Sequence, residues 1–181
     1  MPNYRRNLLP GGTYFFTVVT AGRRPWLCRD EATRSLRRAV RKVRASLPFE
    51  IVCWVLLPDH MHCIWTLPAG DSDYPARWRL IKGFVTRTHG KALAIGDDQS
   101  RVRGEMPSLW QERYWEHTIR DEGDLAAHVD YIHFNPVKHG YCRAPWEWKL
   151  STFRRLVKRG LYPKDEGAET VPSIPDAVGR E

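Results

Sequence analysis

With 181 residues the chain is long enough to bury one core and too short for two ordinary domains, so one domain followed by a tail is expected. Hydrophobic residues at 42% beside 28% charged residues suit a globular protein, and the longest apolar runs, such as 51–57, fall far short of a membrane span. A formal charge of +8 makes a polyanion the leading partner, while four scattered cysteines without a C-x-x-C pair suggest neither a disulfide framework nor a four-thiolate zinc site.

Residues 1–9 reach Pro10-Gly11-Gly12 before any apolar stretch of signal-peptide length, so a cytoplasmic location with reduced thiols is expected. Residues 13–20 are β-branched and aromatic, which predicts a strand; being apolar on both faces, it belongs centrally in a sheet. From Asp30 the pattern turns helical, with Leu36, Val40, Val43 and Leu47 on one side, Asp30 as candidate N-cap and Pro48 as the stop. The opposite side carries Arg34, Arg37, Arg38, Arg41 and Arg44. Such a run is often only a solvated face, but solvated faces mix signs and this one is almost purely basic. Arg34, Arg37, Arg38 and Arg41 are therefore candidates for contact with nucleic-acid phosphates.

Residues 49–57 and 60–67 read as two strands, and the short Pro58-Asp59 connection makes them antiparallel neighbours. Residues 74–93 predict a second helix with Trp78, Ile81, Phe84 and Val85 inward. The polar stretch 96–107 reads as a mobile loop, and 109–111 and 115–120 as short strand segments. A third helix is expected from near Asp121 to about Asn135, stopped by Pro136, with Leu125, Val129 and Ile132 as its buried stripe. Prolines and acids without apolar periodicity over 163–181 predict a disordered tail after a domain spanning 1–162. The order β-α-β-β-α-β-α gives an α+β fold of ferredoxin-like type, a central antiparallel sheet with helices packed on it.

Two constellations carry chemistry. His60 and His62 lie two apart on a strand, so both rings point to one sheet face and can converge on one ion, while Met61 points to the other. A bare H-x-H is also the mark of two satisfied polar strand residues. Tyr131 and Asn135, four apart on the third helix, share a face turned away from the Leu125, Val129, Ile132 stripe. Asn135 before Pro136 is also an ordinary helix end, and Tyr131 an ordinary packed ring. His89, His117, His133 and His139 show no comparable pairing.

Together, P-D-H-M-H at 58–62, W-Q-E-R-Y-W-E-H-T-I-R-D-E at 110–122 and Y-I-H-F-N-P-V-K-H-G-Y at 131–141 resemble the REP-associated tyrosine transposases, a branch of the HUH single-tyrosine transposases. The resemblance runs over about residues 5–156. It implies His60 and His62 as metal ligands, Tyr131 as nucleophile, and Asn135 as third ligand or tyrosine-positioning group; insertion-sequence-type relatives often have Gln there. It also implies a bacterial, nucleoid-associated enzyme that cuts and rejoins single-stranded DNA at REP-type hairpins through a 5′-phosphotyrosine. The implied cofactor is Mg²⁺ or Mn²⁺, which a phosphate-facing site with an oxygen ligand also suits. His128, one turn before Tyr131, is a candidate base. The basic helix suits DNA or a second subunit, leaving monomer and dimer open. Two other classes fit the residues: a non-catalytic nucleic-acid-binding protein on the same scaffold, and a metal-dependent small-molecule hydrolase.

Overall fold

A computed structural model describes residues 7–93 and 109–162; the loop expected at 96–107 and the tail expected at 163–181 lie outside them. Strand β1 (Thr13–Val19) is buried at every position after the first, as its unbroken apolar and β-branched run requires. It pairs antiparallel with β3 (His60–Thr66) on one side and with β4 (Trp115–Thr118) on the other. Strand β2 (Glu50–Leu56) pairs antiparallel with β3, giving the order β2-β3-β1-β4, with a register shift between Ile51 and Cys53. The segment expected as a strand at 109–111 supplies only an isolated bridge, Thr20 to Trp110.

The alternation of β1 divides the core. Tyr14, Phe16 and Val18 face the helices α1 (Asp30–Ser46) and α2 (Tyr74–Leu93), which pack on each other and enclose Met61, Cys63, Trp65, Trp78 and Ile81. Phe15 faces the opposite way, into a second cluster with Val55, Ile64, Tyr131 and Ile132 under helix α3 (Glu122–Lys138). The segment after α3 returns along β2. The Leu56 amide donates to the Leu150 carbonyl at 2.9 Å, the Thr152 amide to the Trp54 carbonyl at 3.0 Å, and the Trp148 indole to the Leu56 carbonyl at 2.8 Å. Those bonds cover an otherwise open sheet edge before the short helix α4 (Phe153–Lys158). Cys53 and Cys63 are buried and unlinked, and no helix among the described residues is long and apolar enough to cross a membrane.

Three local expectations change. Asp30 is the first helical residue of α1, not its cap: Arg29 holds that position without a side-chain cap, and Asp30 with Glu31 instead places negative charge in the first turn, where the helix dipole favours it. Helix α3 does not stop at Asn135 but continues through Pro136 to Lys138. A proline so close to a helix end removes only one late hydrogen bond, and the helix closes just beyond it. Gly140, at φ 71°, donates to the Val137 carbonyl and Tyr141 to the Pro136 carbonyl, each at 2.9 Å, a Schellman closure. The face carrying Tyr131 and Asn135 is not turned away from the core. Both residues are buried, while Leu125 and Val129 of the expected stripe are only partly so, because α3 is covered by the sheet on one side and by the returning C-terminal segment on the other.

Candidate active site

Strand β3 carries the two imidazoles. The β1–β3 register sets Val19 opposite His60 and Thr17 opposite His62, and the alternation that buries Met61 under α1 and α2 turns both histidines toward α3. Their ring centroids are 5.0 Å apart and both side chains are essentially inaccessible to solvent. Each ring is held through Nδ1: that of His60 lies 2.7 Å from Asp59 Oδ1, and that of His62 lies 2.9 Å from the Thr17 hydroxyl. Both Nε2 atoms are buried, and Nε2 of His60 makes no hydrogen bond. Imidazoles anchored at one nitrogen and directed by it at the other are the form in which histidines ligate metals.

Helix α3 brings the tyrosine to them. The Tyr131 ring stands edge-on to His62, centroids 5.1 Å apart, and His139, two turns later, stands edge-on to His60 at 5.3 Å. Asn135, fully buried, follows one turn after Tyr131 on the same helical face. Lys138 Nζ sits 5.2 Å from the Tyr131 ring centroid. The Tyr131 side chain is buried beside the imidazoles, 2% exposed. Thus the structure brings His60, His62 and Tyr131 together, with Asn135 buried one turn along α3 from the tyrosine. Arg34, Arg37, Arg38 and Arg41 do not join them: they are exposed on α1, across the sheet.

Sequence reasoning missed the supporting residues. Asp59 was visible as the neighbour of His60, but Thr17 reaches His62 only through strand register, and His139 reaches His60 only because α3 continues past Pro136. It also set aside His117, which the structure pairs. His117 Nε2 lies 2.8 Å from Asp124 Oδ2, its ring stacks on His128 at 4.6 Å, and His117, Asp124 and His128 offer ligating atoms all within 4.8 Å of one another. This is a group that could hold a metal ion. His128 spends Nδ1 on the Asp124 carbonyl at 2.8 Å, and burial pulls its pKa down. Phe15 separates it from the first group, its ring centroid 4.9 Å from His128, 5.5 Å from His62 and 5.9 Å from Tyr131. Asp59 and Asp124 are both held below the usual carboxylate range. Burial opposes their charge, but hydrogen bonds from His60 and Arg23 in the first case, and from His117 and Arg120 in the second, outweigh it.

No protein-family model matches the sequence. A REP-associated tyrosine transposase from Escherichia coli (strain K12) is 47% identical over 165 residues, covering 91% of this chain and 90% of that protein. The chain belongs to the REP-associated tyrosine transposases. A protein of Haemophilus influenzae (strain ATCC 51907 / DSM 11121 / KW20 / Rd) described under the same family name is 41% identical over 167 residues, covering 92% of this chain and 94% of that one. A solved structure of a REP-associated tyrosine transposase bound to a REP hairpin superposes with a TM-score of 0.75 at 47% identity, over 90% of this chain and 89% of the other. The α+β fold is therefore that of a solved tyrosine transposase, and the enzyme class is that of a DNA-cleaving transposase.

Proposed function

We propose that this REP-associated tyrosine transposase cuts and rejoins single-stranded DNA at a REP-type hairpin, with Tyr131 as nucleophile and a divalent ion, Mg²⁺ or Mn²⁺, held by His60, His62 and Asn135. The observation that carries the reading is the edge-on contact of Tyr131 with His62 at 5.1 Å, beside imidazoles whose Nδ1 atoms are already engaged. The relative of known structure, 47% identical, is bound to a REP hairpin, which supports the choice of substrate.

The donor set fits such an ion. The buried Nε2 of His60 has no hydrogen-bond partner, so ligation would satisfy an atom that is otherwise costly to bury, and the Asn135 carboxamide adds an oxygen that a hard cation favours. When bound, the ion acts as a Lewis acid, offsetting charge that develops on the non-bridging phosphate oxygens.

The remaining chemistry belongs to the chain. The Tyr131 phenolic oxygen attacks phosphorus, the phenol gives up its proton, and the 3′-oxygen takes up a proton as its bond to phosphorus breaks. This leaves a 5′-phosphotyrosine and a free 3′-hydroxyl. Lys138, on the ring face of Tyr131, supplies positive charge beside the forming anion. Because the covalent linkage keeps the energy of the broken bond, attack by a 3′-hydroxyl reverses the step and joins strands without a nucleotide cofactor. The arginines of α1 contact phosphates away from the scissile bond.

The test is to incubate the protein with labelled single-stranded hairpin DNA and Mn²⁺ and look for a denaturation-resistant protein–DNA adduct. The adduct is expected with the wild type and absent from Tyr131→Phe, which keeps its affinity for DNA. Binding without cleavage by the wild type would point to a non-catalytic binding protein. Unchanged cleavage by Tyr131→Phe would point to a hydrolase that needs no tyrosine.

A further inference from the structure

We infer that Arg23 and Asp59 are positioning residues for His60: a carboxylate-centred pair that fixes the imidazole with its proton on Nδ1 and reserves the Nε2 electron pair for the ion. The inference rests on reading His60 as a ligand, and deepens it.

The two histidines are held by chemically different groups. His62 meets the Thr17 hydroxyl, which can donate or accept, so that contact alone does not choose a tautomer. His60 meets Asp59 Oδ1 at 2.7 Å, and an ionised carboxylate only accepts, so the proton must sit on Nδ1. Asp59 in turn cannot drift. Its other oxygen, Oδ2, accepts from Arg23 Nη1 at 2.9 Å, and its backbone carbonyl accepts from both the amide and the hydroxyl of Thr20, at 2.8 and 2.9 Å.

Arg23 reaches that position through an uncommon backbone. It follows Gly22 in a single 3-10 turn at the exit of β1, and at φ 51° it is the one non-glycine residue with positive φ among the described residues. Left-handed backbone is unfavourable for a residue with a side chain, and such residues persist where the surrounding structure holds them and the side chain has a task. Here the turn aims a half-exposed guanidinium back across the β2–β3 connection, and the carboxylate it meets is the one that holds His60.

The experiment uses the full-length, metal-free protein, ¹⁵N-labelled, with His60 signals assigned by comparison with His60→Gln. Long-range proton–nitrogen NMR is expected to show His60 with its proton on Nδ1 in the wild type, and a mixed or reversed tautomer in Asp59→Asn. In parallel, Mn²⁺ binding is followed by electron paramagnetic resonance. Asp59→Asn is expected to weaken it by about 10- to 100-fold, the usual consequence of removing the partner of a ligating histidine. Arg23→Gly suits the backbone conformation, so its smaller loss reports the missing cation, and Arg23→Lys recovers part of it. Being half-exposed, Arg23 also keeps the test intact should Asp59→Asn fail to fold. A wild-type His60 protonated on Nε2, or an Asp59→Asn protein with unchanged tautomer and unchanged Mn²⁺ affinity, overturns the inference. If His60→Ala weakens Mn²⁺ binding while Asp59→Asn does not, only the positioning pair fails. If His60→Ala leaves Mn²⁺ binding intact, the reading of His60 as a ligand fails, and this inference with it.

Discussion

Asp124 ties α3, the helix of Tyr131, to the sheet. Its Oδ2 lies 2.8 Å from His117 Nε2 on β4 and 3.0 Å from the Arg120 amide, and its carboxyl is held down to about 2 by those hydrogen bonds acting against burial. An unfolded Asp takes up its proton near pH 4, whereas the folded one resists to about 2, so stability present at neutral pH is lost as pH falls through that window. The contribution is on the order of 1 to 2 kcal/mol, allowing for the exposure of Arg120. In urea unfolding, Asp124→Asn should trail the wild type at pH 7 by that amount and draw level with it near pH 2; a gap that does not narrow would contradict the assignment. At this level the sequence was informative wherever chemistry follows from spacing along one element. Two histidines on alternate strand positions and a tyrosine four residues from an asparagine could be read directly. Thr17, His139 and Asp124 gain their roles from partners on other elements, and the chain order alone does not contain those distances.

Helix α3 is stabilised at both ends by devices of known size. At its start the Asp121 side chain accepts from the Asp124 amide at 2.8 Å, and at its close Gly140 occupies φ 71°. Asp121→Ala and Gly140→Ala should each lower stability by about 1 kcal/mol, one by freeing a backbone donor and the other by forcing a side chain into left-handed backbone. Chemical denaturation checks both, and an unchanged midpoint in either variant would remove that end from the account. Apolar periodicity located α1, α2 and the body of α3 because a one-sided stripe leaves few alternatives. It failed at Pro136, where proline reads as a stop although its lost hydrogen bond falls in the last turn and Gly140 and Tyr141 complete the closure beyond it. It also misplaced the buried side of α3, since a helix covered by a sheet and by a returning segment does not show a single apolar face.

Across the whole molecule the sheet separates the buried histidine and tyrosine cluster from the basic surface. The histidines and Tyr131 lie on the α3 side, and the exposed arginines of α1 lie on the other. With a net charge of +8, DNA affinity should fall steeply with salt. Replacing Arg34, Arg37, Arg38 and Arg41 by Gln should weaken binding and flatten the plot of log affinity against log salt by about 0.7 per lost single-strand phosphate contact, while adduct formation at saturating DNA keeps its rate. An unchanged slope would take α1 out of the DNA-binding surface. The strand and helix order was legible from the sequence because connection lengths and periodicities constrain it strongly. The side of the sheet on which each charged face ends was not, because it depends on how three helices divide between two faces.

All of this turns on one tyrosine doing chemistry beside two imidazoles. Proteolysis of the covalent product formed with hairpin DNA and Mn²⁺, followed by mass spectrometry of the nucleotide-bearing peptide, identifies the attacking side chain. The phosphate is predicted on Tyr131, with its yield strongly reduced in His60→Ala and His62→Ala. A phosphate mapped to any other residue, or an undiminished yield without the histidines, would contradict it.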